Sequence, residues 1–136
     1  MRTVFADTLY WGALLHPHDQ YRSRVIRTRK MLGEVHLVTT DEVLMELLDG
    51  LAHRGPQLRD RATQAIRRIL ADARVTVHPQ SRQSFLAGLT LYERRSDKGY
   101  SLAGCISMNT MRREGITEVL TNDYHFAQEG FAALLR

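Results

Sequence analysis

Thr3-Val4-Phe5-Ala6-Asp7-Thr8 contains a short apolar run that stops at a carboxylate. Such a run fits a strand buried on both faces, as in a parallel sheet, and it places the acid at the strand's carboxyl end. The pattern returns late in the chain, where Val119-Leu120-Thr121-Asn122 leads into Asp123. A third acid, Glu46, lies inside Val43-Leu44-Met45-Glu46-Leu47-Leu48, where a purely solvated helix face is narrow. An interior-pointing glutamate needs a partner, because burying an uncompensated carboxylate is costly. Acids gathered from strand ends onto one site point to a hard divalent cation such as Mg²⁺ or Mn²⁺.

The segments between these acids alternate. After the first strand, His16-Pro17-His18-Asp19 is a polar break, and Gln20 to Leu32 reads as a basic helix ended by Gly33. His36 to Val38 is a second strand; Thr39-Thr40-Asp41 then supplies an N-cap, and Asp41 starts a helix running to about His53. Gly55-Pro56 breaks the chain before a helix from Gln57 to Ala71, and Val75-Thr76-Val77 is a β-branched third strand. Ser81 caps a helix with Phe85, Leu89 and Tyr92 at helical spacing, and Ser101 caps another that reaches Glu114 and closes at Gly115. Glu118 to Thr121 is a fourth strand, Asn122 or Asp123 opens a short helix, and Ala133 to Leu135 reads as a small last strand. The expectation is a single α/β domain over 1–136, with a mostly parallel sheet of four to five strands and helices on both faces. In such sheets ligands bind beyond the carboxyl ends of the strands, where the strand order reverses.

At 136 residues, with 43% apolar and 25% charged residues, the composition is that of an ordinary globular domain with a real core. No run approaches the ~18 apolar residues of a membrane span, and Asp7 comes too early for a secretory leader. The single cysteine, Cys105, excludes an internal disulfide and fits a reducing cytoplasm; its apolar neighbours make it a buried helix residue. The net charge of +4 is carried mostly by arginine, in clusters around Arg22–Lys30, Arg59–Arg68 and Arg94–Lys98. Each cluster alone suits a solvated helix face, and together they point to a polyanionic partner, nucleic acid above all.

Each acid also has a plainer role open to it. Asp7 and Asp123 both suit N-caps of the helices that follow them. His16-x-His18 lacks a third ligand nearby, which disfavours zinc, and His125 reads as a surface residue two positions from Asp123. The chain has no Gly-rich phosphate loop and no Gly-x-Ser-x-Gly elbow. A phospho-acceptor receiver domain needs a lysine after a strand, whereas Lys98 precedes a helix.

Taken in order, these segments resemble the PIN-domain family, specifically the VapC-type toxins of bacterial and archaeal toxin–antitoxin pairs. Val4-Phe5-Ala6-Asp7-Thr8 resembles the family's first motif, and Thr40-Asp41-Glu42-Val43-Leu44-Met45-Glu46-Leu47-Leu48 the second. Asp97 through Ser107 resembles the third, and Thr121-Asn122-Asp123-Tyr124-His125-Phe126 the last. The departure is Gly104, where the family pattern places an aspartate; no carboxylate occurs from Ala103 through Arg113. With Ser101 as N-cap, residue 104 is the third helical residue, where an acid would favour the helix dipole. A helical glycine costs roughly 1 kcal/mol relative to alanine, so Gly104 is not a stabilising choice.

The resemblance implies a metal-dependent endoribonuclease in which Asp7 and Asp123 ligate Mg²⁺ or Mn²⁺ and Glu46 positions or deprotonates water. Thr121 and Asp97 are auxiliary candidates, Asp97 as partial compensation for the position vacated at Gly104. It also implies an RNA substrate, a homodimer and a small antitoxin whose basic side chain fills the acidic groove. With one ligand missing, metal occupancy and activity are expected to fall. The alternative is a catalytically silent domain of this fold that binds RNA or an antitoxin.

Overall fold

β1 (Arg2–Ala6) carries Val4, Phe5 and Ala6 fully buried, and a computed structural model describing residues Met1–Arg136 places this strand at the centre of the sheet. Burying each such Val or Phe side chain is favourable by about 1.5–3 kcal/mol. β1 pairs on one side with β2 (Val35–Thr40), which pairs in turn with β3 (Val75–His78). On the other side it pairs with β4 (Glu118–Leu120), which pairs with β5 (Ala132–Ala133). The order is β3-β2-β1-β4-β5 and every pairing is parallel, so the sheet has five strands with no antiparallel member. Seven helices complete the alternation: α1 (Thr8–Leu15), α2 (Arg22–Leu32), α3 (Asp41–Leu51), α4 (Pro56–Ala71), α5 (Arg82–Arg94), α6 (Leu102–Glu114) and α7 (Tyr124–Gln128). This is the α/β arrangement read from the sequence.

α3 starts at Asp41 as expected, with Thr40 as its N-cap: Thr40 Oγ1 accepts from the Val43 N–H at 3.1 Å, while Asp41 in the first turn accepts from the Gln80 N–H at 2.9 Å. Several boundaries differ for local reasons. α2 begins at Arg22 because Asp19 holds the preceding turn, its Oδ1 accepting from the Tyr21 N–H at 2.8 Å. The last strand is Ala132–Ala133 rather than 133–135, because β4 offers only three residues for it to follow. Leu135 is fully buried beyond it. α6 ends as read, with Gly115 in the left-handed region (φ 69°), which costs glycine little.

Two features matter for the site. α5 and α6 approach closely at Gly88, where an added Cβ would lie 2.5 Å from Ile106 Cγ1. Several of the arginines donate to backbone carbonyls rather than standing free. Arg22 donates to Ala13 and Leu14, Arg24 to Leu135, Arg29 to Gly33, Arg59 to Ala52 and Arg61 to Leu15. These guanidinium groups supply partners for carbonyls at helix and chain ends, so the basic clusters are not simply a phosphate-facing surface.

Candidate active site

The chain moves outward from β1 to β2 and β3, then returns to the opposite side of β1 for β4 and β5. The strand order thus reverses between β1 and β4, and the carboxyl ends at such a switch are the usual ligand position in an open α/β sheet. Ala6 pairs with Leu120 there, and the Asp7 N–H extends the ladder to the Leu120 carbonyl at 3.3 Å. Asp7 and Thr121 therefore leave adjacent strands side by side. Buried Thr121 donates its hydroxyl to Asp7 Oδ2 at 2.8 Å and accepts from the Asp123 N–H at 3.2 Å. Thr39, also buried, donates to the Ala6 carbonyl at 2.9 Å and fixes the strand end from the β2 side.

Asp7 occupies the N-cap position of α1 but makes no side-chain capping bond, so capping does not account for it. Asp123 does cap α7: its Oδ1 accepts from the His125 N–H at 3.0 Å. The same oxygen lies 3.2 Å from His125 Nδ1, so His125 is a direct neighbour of the acid rather than a surface bystander. Glu46 departs from its expected interior setting. Val43, Leu44 and Leu47 are the buried residues of α3, whereas Met45 and Glu46 are exposed. Glu46 instead reaches back to the site, its Oε1 accepting a short hydrogen bond from the Thr8 hydroxyl.

Glu46 also borders a groove of about 650 Å³ whose opposite wall includes Leu102, Ala103 and Ile106 of α6. The vacated position thus lies beside this groove. The Gly104 N–H donates to Ser101 Oγ at 2.9 Å, and an added Cβ would meet only that oxygen, at 3.0 Å, within 4 Å. Asp97 is exposed and lies 3.6 Å from Lys98. The residues that sequence reading passed over are Thr8, which stood inside the first motif, and the His125–Asp123 contact.

Burial pushes the Asp7 carboxyl up to about 6, and the negative charges of Glu46 and Asp123 add to the rise. The Thr8 backbone N–H and the Thr121 hydroxyl oppose it. Thr121 ties Asp7 to the Asp123 turn, and the Thr8 hydroxyl ties Glu46 to the start of α1. The sign for stability follows from linkage: a carboxyl whose folded value exceeds its unfolded 3.8 binds protons more tightly when folded. The metal-free protein should then be favoured by protonated Asp7 below about pH 4 and lose that contribution as pH rises to about 6. A rise of this size is equivalent to on the order of 2–3 kcal/mol. Urea denaturation at several pH values in a chelating buffer measures this, with other carboxylates superimposing their own slopes.

A hard divalent cation would reverse the same effect by compensating the ionised form. The donor set of carboxylates and hydroxyls suits Mg²⁺ or Mn²⁺ in chemistry and charge. It is an incomplete set: no three His, Cys, Asp or Glu side chains stand together as a ready metal-holding group. Asp7, Asp123 and Glu46 are the residues available, and Gly104 contributes no carboxylate.

This architecture, an all-parallel five-stranded sheet with seven helices, matches the PIN-like fold of a VapC protein. Among solved structures the chain is similar to VapC20 of Mycobacterium tuberculosis, described as a toxin that cleaves the sarcin–ricin loop. The two share 24% identity at a TM-score of 0.83, over 95% of this chain and 96% of that one. No family model matches the chain, and no curated protein does. No helix is long and apolar enough to cross a membrane.

Proposed function

We propose that this chain is a metal-dependent endoribonuclease of the VapC toxin type whose activity is held down by the vacated position at Gly104. The observation that carries the reading is the pairing of Asp7 and Asp123 through Thr121 at the carboxyl ends of β1 and β4, where the strand order reverses. Asp7 and Asp123 would hold Mg²⁺ or Mn²⁺, which when bound polarises a phosphodiester and acidifies water. Thr121 orients Asp7 by donating to Oδ2, leaving its other oxygen for a cation. Glu46, exposed and bonded by the Thr8 hydroxyl, would orient an attacking water or take its proton. The likeness to a toxin that cleaves the sarcin–ricin loop supports RNA as the substrate class. A small antitoxin, a homodimeric state and a cytoplasmic setting belong to the same proposal.

A second reading has its own support: with no ready three-ligand group and a glycine at position 104, the domain binds RNA or an antitoxin without cutting. Incubating the protein with a structured RNA in Mn²⁺ or in EDTA separates the two. The ribonuclease reading expects slow Mn²⁺-dependent cleavage that Glu46→Gln lowers at least about a hundredfold, the scale of losing a group that acts in the transition state. RNA that is retained by the protein yet stays intact in Mn²⁺ supports the silent domain instead.

A further inference from the structure

Glu129 follows α7, and its side chain is only 5% exposed although it is charged. Three donors converge on it: Arg95 Nε to Oε1 at 2.5 Å, the Tyr100 hydroxyl to the same oxygen at 3.1 Å, and Arg112 to Oε2. These bonds outweigh burial and hold the carboxyl down at about 2. A buried ion cluster of this kind often contributes little net stability, so its geometry needs another account.

The geometry leads to the site. Tyr100, 5% exposed, packs its ring against His125 with centroids 5.1 Å apart and planes at 57°. Tyr124 contacts the same imidazole at 4.6 Å. His125 in turn places two nitrogens, its backbone N and Nδ1, at 3.0 and 3.2 Å from a single oxygen, Asp123 Oδ1. Asp123 is otherwise weakly restrained, with a side chain 44% exposed. Tyr100 also directly precedes Ser101, the N-cap of α6, so one anchor fixes both the Gly104 turn and the Asp123 turn.

We propose that Tyr100 and Glu129 are positioning residues for the Asp123 carboxylate, acting through His125. The buried Glu129 pins the Tyr100 hydroxyl, the Tyr100 ring restricts the imidazole, and the His125 backbone N–H holds Asp123 Oδ1 with the imidazole packed 3.2 Å from the same oxygen. Asp123 Oδ2 is then left as the oxygen directed to a ligand. The proposal rests on the reading of Asp123 as a site acid, and its test includes a measurement that does not depend on activity.

The experiment compares the wild-type chain with Tyr100→Phe, which keeps the ring and deletes only the hydroxyl, and with Glu129→Gln. Amide hydrogen exchange at His125 in metal-free protein reports the bond to Asp123, and exchange along β1 reports global stability. The expected result is exchange at His125 at least about fivefold faster in both variants, with β1 protection changed less than about twofold in Tyr100→Phe. Mn²⁺ affinity, read by electron paramagnetic resonance, should fall by roughly tenfold in the variants, the scale of losing a group that orients a ligand. Unchanged His125 exchange in Tyr100→Phe overturns the proposal, as does acceleration equal at His125 and β1. If the wild type neither binds Mn²⁺ nor cuts RNA, the ribonuclease reading fails, and the exchange data still decide whether Tyr100 and Glu129 hold Asp123.

Discussion

Gly104→Asp is expected to raise Mn²⁺-dependent RNA cleavage by one to two orders of magnitude. On the proposed reading, a carboxylate at residue 104 adds a ligand and a charge together, the two properties that set affinity for hard cations. One to two orders correspond to about 1.4–2.8 kcal/mol of improved metal or transition-state binding. The backbone permits the change. An added Cβ at residue 104 meets only Ser101 Oγ, at 3.0 Å, and that hydroxyl belongs to a single rotatable side chain. An acid on the third residue of α6 also favours the helix dipole, by about 0.3–1 kcal/mol, and removes the helical glycine. Folding should therefore survive while the metal-free acid cluster becomes more repulsive. Initial cleavage rates of both proteins across a Mn²⁺ titration measure the effect. Equal activity in the two would show that the missing acid is irrelevant, and inactivity in both would favour the binding domain.

Asp7→Asn is expected to move stability and function in opposite directions. The amide keeps an oxygen to accept from Thr121 but carries no charge at any pH, so the metal-free protein no longer opposes its ionisation near pH 7. Removing a penalty on the order of 2 kcal/mol should raise the melting temperature by roughly 5–8 °C at pH 7.5 in EDTA. The downward step in stability between pH 4 and 6 should shrink with it. Cleavage should fall at least about a hundredfold, because a site carboxylate and its charge are lost together. Such a trade is what a strained functional acid predicts. A destabilised Asp7→Asn protein would mean that Asp7 serves the fold rather than the site.

The residues that could be read from sequence were those whose structural signal is local. Val4-Phe5-Ala6 and Val119-Leu120 declare buried strands because an apolar run bounded by polar residues has few other places to go. Ser101 and Gly115 declare the ends of α6 through their own side chain or lack of one. Glu46 was misplaced because a run of apolar neighbours hides helical phase. At 100° per residue Val43, Leu44 and Leu47 span about a 100° arc, and Glu46 falls about 60° outside it. The glutamate therefore reaches solvent at the rim, where it can meet a ligand.

Other features were illegible because their partners are distant. Glu129 is bound by residues 17 and 34 positions away, and nothing beside it in Gln128-Glu129-Gly130 marks it as buried. Arg24 donates to a carbonyl 111 positions along the chain, so that tie is invisible in a cluster that reads as basic surface. The meeting of Asp7 with Thr121 likewise depends on the β1–β4 register, which a strand pattern alone does not specify.

The claim that Asp7, Glu46 and Asp123 form one metal-dependent centre is tested most directly by anomalous diffraction from crystals of the wild-type chain and of Gly104→Asp, grown with Mn²⁺. The account predicts a manganese peak with Asp7 and Asp123 oxygens at roughly 2.0–2.5 Å, more fully occupied in Gly104→Asp than in the wild type. Manganese located away from the β1–β4 switch point, or absent from both proteins at millimolar concentration, would contradict it.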